Sequence, residues 1–332
     1  MPNGDAPEWQ KVGVGNLMDP AILFFVFGIL AGAIRSDLEI PPQISRFLSL
    51  YLLMALGLKG GFALAESGLT SEVATTLAAA IALCVVVPVL GYAVLRRFVS
   101  GFDAAAIAAT YGSVSAVTFI TAVQHLDGLG QPYGGHMAAA MALMESPAIV
   151  FAVVMANLLR RRAASSATAV PLKSLLHEAL TGGPQLLLLG AMAVGMLTGE
   201  SGQQAMRPFA TDLFKGMLAF FLLDMGLLAA RNMGGLRSAP VWLLAYAITG
   251  PLVHAGLALV LSLALGISAG NGALLMVLAA SASYIAVPAV IRQAIPEANP
   301  SLYFGMSLGL TFPFNILLGI PLFTSIAQYF LA

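Results

Sequence analysis

Charged side chains are scarce in this chain of 332 residues, where Asp, Glu, Lys and Arg together make up 9% of the sequence. Soluble globular proteins carry about 25%. Apolar residues make up 59%, and the mean hydropathy is +0.91. A soluble domain of this length could not cover its surface with so few polar groups. The composition therefore predicts a polytopic membrane protein that is surrounded mainly by lipid.

Cysteine and histidine are too few and too scattered for several classes of site. The single cysteine, Cys84, excludes a disulfide within one chain. The four histidines show no metal-ligand spacing, so no metal site is predicted. There is no HExxH or paired-aspartate motif and no serine with a helix-spaced histidine, which makes an intramembrane hydrolase the poorest interpretation. We therefore expect a protein that is not an enzyme.

Long apolar runs fill the sequence instead. About 20 residues cross about 30 Å of hydrocarbon, and ten runs fit that length: 17–34, 44–65, 73–95, 103–124, 135–159, 184–199, 208–230, 238–266, 271–292 and 301–330. Residues 1–16 lack a basic start and a small-x-small cleavage site, so we interpret them as an extracytoplasmic tail. A polar linker at 160–183 separates two sets of five spans, at 17–159 and 184–332.

The stretch 278–294 is apolar at both ends and polar in its middle. Ser281, Ser283 and Tyr284 supply hydrogen-bonding side chains there, and Pro288 lacks a backbone donor, so we expect the helix to be interrupted. The segment TYGSVSAVTFITAVQ has the same character, in the fourth span. Interrupted polar segments at corresponding places in the two halves of a membrane protein are typical of a transport site.

The interrupted segments of the two halves also correspond residue by residue. Ser113 and Ser115 lie 168 residues before Ser281 and Ser283, and Asp103 lies the same distance before Asn271. Five spans per half place the second half upside down in the membrane. The predicted fold is therefore all-α, with ten transmembrane helices in a five-plus-five inverted repeat and with helices 4 and 9 interrupted.

Basic residues are distributed unevenly between the two faces, although they form no cluster dense enough to bind nucleic acid. The loops after odd-numbered spans hold eleven, namely Arg35, Arg46, Arg96, Arg97, Arg160, Arg161, Arg162, Lys173, Arg231, Arg237 and Arg292. The other face has Lys11 and Arg207. Because positive loops stay in the cytoplasm, both termini should be extracytoplasmic and the linker cytoplasmic.

The serine segments predict a site for a small anion such as bicarbonate. A helix broken at mid-membrane offers free backbone amides and the positive end of its dipole, and hydroxyl groups add rotatable donors. The candidate substrate-binding residues are Ser113, Ser115, Thr118, Ser281, Ser283 and Tyr284. The alternative is that these small residues only let two crossing helices approach closely.

Glu145 predicts a sodium site. It is the single charge between Gly128 and Leu159, and a buried carboxylate needs a partner or a cation. The candidate sodium ligands are Glu145, Ser115, Ser283 and Thr311. The alternative is a protonated Glu145, or one bonded to a neighbouring helix. Lys59 and Asp224 lie in corresponding spans and are predicted to form a structural ion pair.

Several segments carry a family resemblance, notably ATYGSVSAVTFITA, LMESPAIV and ASASYIAVPAVIRQAIPEANPS. They resemble the SbtA-type sodium-dependent bicarbonate transporters of cyanobacteria and other bacteria. The resemblance implies a bacterial plasma (inner) membrane protein with ten helices, external termini, a gate domain and a core domain. It also implies a homotrimer that moves bicarbonate with sodium by an elevator-like mechanism, and a PII-like regulatory protein that binds on the cytoplasmic side.

The second motif departs from that family pattern. Tyr284 stands where the family has aspartate, Val287 stands where it has glycine, and Ala116 replaces a glycine of the first motif. These larger or uncharged residues could fill the site. A non-transporting membrane receptor, or a carrier of a different small anion on the same scaffold, therefore stays open beside the sodium-coupled carrier.

Overall fold

Helices make up nearly all of the computed structural model, which describes residues 18–68, 70–162, 183–233 and 240–332. The first half contains α1 (Pro20–Ala33), α2 (Pro42–Ser67), α3 (Ser71–Leu95), α4 (Gly101–Gly112), α5 (Ala116–Leu129) and α6 (Met137–Arg162). The second contains α7 (Gly183–Arg207), α8 (Phe214–Met233), α9 (Val241–Leu265), α10 (Ala269–Ala280), α11 (Ala286–Ala294) and the long helical stretch α12 (Pro300–Leu331). The predicted tail at 1–16 and most of the linker, with Lys173, lie outside the described residues, as do Lys11 and Arg237.

Seven helical stretches in the described part of the chain are long and apolar enough to cross a membrane: Pro42–Glu66, Ser71–Leu95, Gly101–Leu129, Met137–Arg161, Gly183–Met233, Val241–Leu265 and Pro300–Leu331. The stretch Gly183–Met233 has 51 residues and contains two of the predicted spans. Pro20–Ala33 and Ala269–Ala280 are shorter apolar helices. The protein is thus an all-α polytopic membrane protein, and the number of ten crossings stays a prediction.

Glycines bring two pairs of helices into close contact. A Cβ atom on Gly61 of α2 would lie 2.9 Å from the Cα atom of Gly195 in α7. A Cβ atom on Gly226 of α8 would lie 3.0 Å from the Cα atom of Gly28 in α1. Backbones that approach this closely pack without room for any larger residue. The helices α1, α2, α7 and α8 are called the first group below.

The remaining helices form a second group around the two interrupted segments. In it, α4 and α6 pack against α3, while α10 packs against both α9 and α12. Helical structure is interrupted at 113–115, between α4 and α5, and at 281–285, between α10 and α11. These two segments are called the helix breaks below. Both predicted interruptions are confirmed. Pro288 lies in the first turn of α11, where a missing backbone donor costs nothing, so it fits the start of the second half-helix and does not bend a continuous one.

The long last helix contains two π-helical segments, Gly305–Thr311 and Asn315–Gly319. Each ends within two residues of a proline, Pro313 or Pro321. A proline cannot donate to the preceding turn, and a wider turn accommodates the change. The helix therefore widens before each proline and continues.

The sixth predicted span ends at 199, where Gly199, with a φ of 53°, separates two helical segments of α7. The second segment continues to Arg207. One prediction about this architecture is wrong. Lys59 does not pair with Asp224 but lies 3.2 Å from Asp127 at the end of α5. In an inverted repeat only those corresponding residues that lie near the two-fold axis meet, as the serine segments do, whereas Lys59 and Asp224 line different cavities.

Candidate functional site

Two hydrogen bonds donated by backbone amides join the two helix breaks. The amide of Ser115 donates to Oγ of Ser281 over 3.0 Å. The amide of Ser283 donates to the carbonyl oxygen of Thr110 over 2.9 Å. Each break thus satisfies polar groups of the other, which a helix interrupted inside an apolar protein requires.

A cavity of about 80 Å³ lies beside the two helix breaks, between the two groups of helices. This central cavity is larger than the about 10–15 Å³ that a single water needs. Its polar lining consists of Ser49, Ser115, Glu145, Gln185, Ser283 and Tyr284. It is therefore large enough and polar enough for a small solute.

Both second half-helices point their N-termini at the central cavity. Ala116 and Val117 open α5, Ala286 opens α11, and all three residues line the cavity. The first amides of a helix have no acceptor within the helix, and they carry the positive end of its dipole. Two such termini at one cavity favour an anion.

The two cavity serines hold these helix ends in place. Oγ of Ser115 accepts from the amide of Thr118 over 3.2 Å, and Oγ of Ser283 accepts from the amide of Val287 over 3.3 Å. In this arrangement each hydroxyl keeps its own proton available to donate. The same side chain can therefore cap a helix and offer a donor to a bound anion.

Glu145 places a carboxyl group at the same cavity. Its Oε2 accepts a 2.7 Å hydrogen bond from Nε2 of Gln185. Glu145 belongs to α6 of the second group and Gln185 to α7 of the first, so this bond spans the boundary between the groups. A carboxylate beside hydroxyl oxygens is a ligand set that suits a hard cation.

The other predicted site residues lie around the helix breaks and do not line the central cavity. Ser113 and Thr118 are buried, and no protein group within the described residues bonds their hydroxyls. Oγ of Ser281 donates to the carbonyl of Leu278 over 2.8 Å. Thr311 is bonded to Tyr111 at 2.6 Å and to the carbonyl of Ala247 at 2.7 Å. The structure therefore brings Ser115, Ser283, Tyr284 and Glu145 together and leaves Thr311 apart.

Tyr284 lies where two cavities meet. It lines the central cavity and a second one of about 720 Å³, which also contains Asp224 and is called the Asp224 cavity. The side chain is 5% exposed, and its ring packs 5.1 Å from the ring of Phe312. Its hydroxyl lies beside the side chain of Ser115. Tyr284 therefore occupies the passage between the site and the larger cavity.

Sequence reasoning missed two residues that shape the site. Gln185 was overlooked because a single amide at the start of a span resembles an interfacial residue. Asn315 was overlooked although it is a lone amide in an apolar segment, which is a usable signal. Its Nδ2 donates to the carbonyl of Ala280 over 2.9 Å and so satisfies the end of α10.

An ion pair fixes the loop that follows the second break. Nε and Nη2 of Arg160 each lie 2.8 Å from a carboxylate oxygen of Glu297, and Nη2 also donates to the carbonyl of Ala294. Arg160 is buried, and its hydrogen bonds lower the pKa of Glu297. The pair ties the end of α6 to the end of α11.

The Na+-dependent bicarbonate transporter superfamily has a sequence profile that matches residues 20–328, which is nearly the whole chain. The chain belongs to this family. The resemblance carried by the serine segments is thereby confirmed. Comparison with curated proteins finds no match. Membership of the superfamily supports a function in sodium-dependent transport. The central cavity at the two helix breaks is the candidate site.

Proposed function

We propose that this protein carries a small anion together with sodium, and that bicarbonate is the first candidate substrate. The observation that carries the proposal is the central cavity, where two half-helix N-termini and two serines meet the carboxyl group of Glu145. The termini and hydroxyls would bind the anion. The carboxylate would balance the charge of the cation, so both ions could share one cavity.

For sodium we propose Glu145, Ser115 and Ser283 as ligands, since all three line the central cavity. Thr311 was part of the same prediction, but its hydroxyl is 2.7 Å from the carbonyl of Ala247 and it does not line the cavity. Ser113 and Thr118 remain candidates for substrate binding, because their buried hydroxyls have no partner among the described residues. A substrate bound at the helix breaks would supply a hydrogen-bond partner for them.

An inverted repeat of ten crossings fits the contacts between the halves. Oδ1 of Asp103 accepts from the amide of Asn299 over 2.7 Å, and Oδ1 of Asn271 accepts from the amide of Gly134 over 2.7 Å. Each of these side chains starts a first half-helix and holds the loop behind the second half-helix of the other repeat. Such reciprocity supports two halves related by a two-fold axis in the membrane plane.

Alternating access is supported by the way the cavities connect. The central cavity shares Ser49, Pro184, Tyr284 and Ile285 with the Asp224 cavity. It shares no lining residue with a third cavity, of about 550 Å³, which contains Lys59 and is called the Lys59 cavity. The loop charges predict that the Asp224 cavity faces the cytoplasm. We propose that the second group moves against the first, as an elevator-like mechanism requires, and connects the site to either side in turn.

A non-transporting receptor is the second candidate, and the position of Tyr284 favours it. A buried phenol between the site and the Asp224 cavity could block the path of a small ion. In that case a ligand would bind and the protein would signal its presence without moving it. Measurement of transport separates this function from the first.

The resemblance extends the proposal to partners. Large apolar side chains on α1 and α3 are exposed, among them Phe24, Phe27, Val85 and Val89, as expected for surfaces that face lipid or another subunit. We propose a homotrimer in the bacterial plasma membrane with both termini outside. A PII-like regulatory protein would bind at the cytoplasmic face near the linker at 160–183.

Uptake of labelled bicarbonate into proteoliposomes tests the proposed function. A carrier should accumulate label when sodium is higher outside, and accumulation should fall when potassium replaces sodium. Vesicles with Ser325→Ala serve as the matched serine control, because Oγ of Ser325 bonds the carbonyl of Pro321 within its own helix. Saturable bicarbonate binding without any uptake would instead favour the receptor.

A further inference from the structure

The Lys59 cavity contains an ion pair between the two groups of helices. Nζ of Lys59, in α2, lies 3.2 Å from Oδ2 of Asp127, in α5. The hydroxyl of Tyr133 donates to the other carboxylate oxygen over 2.8 Å, and Nζ of Lys59 lies 4.7 Å from the centre of the Phe214 ring. The side chains of Lys59 and Asp127 are 24% and 33% exposed. Partly exposed pairs contribute little net stability, so this contact can break when the groups move.

The Asp224 cavity contains a carboxylate without such a partner. Asp224 lies in α8 of the first group and is 5% exposed. Its Oδ2 makes no hydrogen bond within the described residues. Arg46 and Arg231 also line this cavity, but Nη2 of Arg231 donates to the carbonyl of Leu38 over 2.9 Å. Ser45 hydrogen-bonds the carboxylate, and Arg231 attracts it without an ion pair within 4.0 Å in the described residues. A cation in direct contact would stabilise this buried carboxylate further, so a state that supplies one would be favoured.

The positions of Lys59 and Asp224 in their helices correspond. Lys59 lies two residues before Gly61, which contacts α7, and Asp224 lies two residues before Gly226, which contacts α1. The two glycine contacts are the equivalent crossings of the first group. The two charged residues therefore occupy equivalent places, one at each end of the molecule, and they have opposite charges.

Asp127 also has an equivalent of opposite charge. It lies seven residues before Gly134, and Arg292 lies seven residues before Asn299. Gly134 and Asn299 occupy equivalent positions, because their amides donate to Asn271 and Asp103 in the two reciprocal contacts between the halves. Asp127 lies in α5 and Arg292 in α11, which are the two second half-helices, so both charges belong to the second group. Arg292 is exposed, and in the described part of the chain it has no carboxylate within 4.0 Å.

We infer that Asp224 and Arg292 are positioning residues which form a charge-reversed copy of the Lys59–Asp127 pair when the two groups change their relative position. One ion pair then closes the Lys59 side, and the other closes the Asp224 side. The inference rests on the proposed alternating access, and it names the contact that stabilises the state opposite to the one described here. In that state Asp127 leaves Lys59 while Arg292 reaches Asp224.

Crosslinking of paired cysteines tests the exchange. In a Cys84→Ala background, one variant carries Lys59→Cys with Asp127→Cys, and another carries Asp224→Cys with Arg292→Cys. Each is reconstituted in proteoliposomes and treated with a homobifunctional maleimide, with and without sodium bicarbonate. We expect both pairs to crosslink, and we expect the conditions that raise one yield to lower the other. A matched control pair, Asp224→Cys with Arg97→Cys, should not crosslink under any condition.

Charge reversal provides a second reading that does not depend on cysteines. Asp224→Arg and Arg292→Asp should each reduce the uptake rate several-fold, and the double variant should recover most of it. Asp224→Arg with Arg97→Asp should not recover it. Absence of both the Asp224–Arg292 crosslink and the rescue, in a protein that transports normally, overturns the inference. Exchange of crosslinks in a protein that moves no bicarbonate would instead overturn the proposed substrate and leave the ion pairs standing.

Discussion

The amide of Ser115 and the hydroxyl of Ser281 are 3.0 Å apart and form a hydrogen bond between the two halves of the protein. Oγ of Ser281 itself donates a hydrogen bond to the carbonyl of Leu278, so this side chain links the end of a half-helix in one repeat to the helix break in the other. The two serines have different roles. Ser281 holds the two helix breaks together, and Ser115 lines the central cavity.

We predict that Ser281→Ala destabilises the protein. The substitution leaves the amide of Ser115 buried without its acceptor, a loss of roughly 1–3 kcal/mol. Thermal unfolding of the purified protein in detergent should show a lower Tm than that of the wild type. Ser325→Ala is the control, since its hydroxyl bonds only within α12. Equal Tm values for the wild type and Ser281→Ala would contradict the structural role of this bond.

We predict that the double variant Ser115→Ala with Ser283→Ala loses substrate binding. Both hydroxyls line the central cavity, and their loss removes donors from a dehydrated site. Ser115 also caps α5, and loss of a helix cap costs about 0.5–2 kcal/mol. Bicarbonate uptake and Tm should therefore be measured together. The double threonine variant retains both hydroxyls and should retain uptake, whereas wild-type uptake in the alanine variant would show that the serines only pack.

The helix breaks were predictable because several local signals in the sequence agree. Hydroxyl residues and a proline inside an apolar run conflict with a continuous helix, and the serines recur after 168 residues. The end of α7 was not predictable from hydropathy. Its last residues, up to Arg207, are polar, and hydropathy reports what lies in lipid rather than what is helical.

Partners across the molecule were harder to predict than the breaks. Gln185 meets Glu145 only because α6 and α7 pack together, and no spacing in the sequence encodes that contact. The pairing of Lys59 failed for a different reason. Lys59 corresponds to Asp224, but an inverted repeat brings together only those corresponding residues that lie near its axis. Three-dimensional contacts were therefore required to assign both charges.

We predict that both termini lie outside the cytoplasm. Single cysteines at residues 5 and 330, in a Cys84→Ala background, should react with an impermeant maleimide added to intact cells. Arg97→Cys lies in a loop on the predicted cytoplasmic side and should react only after the cells are opened. The expectation follows from the excess of basic residues in the loops on that side. Labelling of the terminal positions from the cytoplasmic side alone would disprove the topology.

We predict that the Arg160–Glu297 pair makes stability fall at acidic pH. The pKa of Glu297 is lowered from 4.5 in the folded protein, chiefly by its hydrogen bond to Arg160. A lowered pKa means that the contribution is complete above the ordinary value and is lost as the pH falls through the folded value. Tm should therefore decrease below about pH 4.5, and it should decrease less in Glu297→Gln. Glu200→Gln, on an exposed helix surface, should follow the wild type, and a wild-type slope in Glu297→Gln would exclude this pair as the cause.

The last prediction concerns Tyr284, at a position where the resemblance to the family implies aspartate. A tyrosine is neutral at pH 7, with an ordinary pKa of about 10, so it contributes no negative charge to a cation site. Its ring is also larger than a carboxylate and occupies the passage between the central cavity and the Asp224 cavity. We expect the wild type to transport bicarbonate weakly or to prefer another small anion, and we expect Tyr284→Asp to increase the dependence of uptake on sodium. Tyr284→Phe keeps the ring and removes the hydroxyl, which separates volume from hydrogen bonding. Uptake measured against sodium concentration in all three proteins decides the matter. If sodium dependence is already strong in the wild type and Tyr284→Asp leaves it unchanged, position 284 lies outside the cation site.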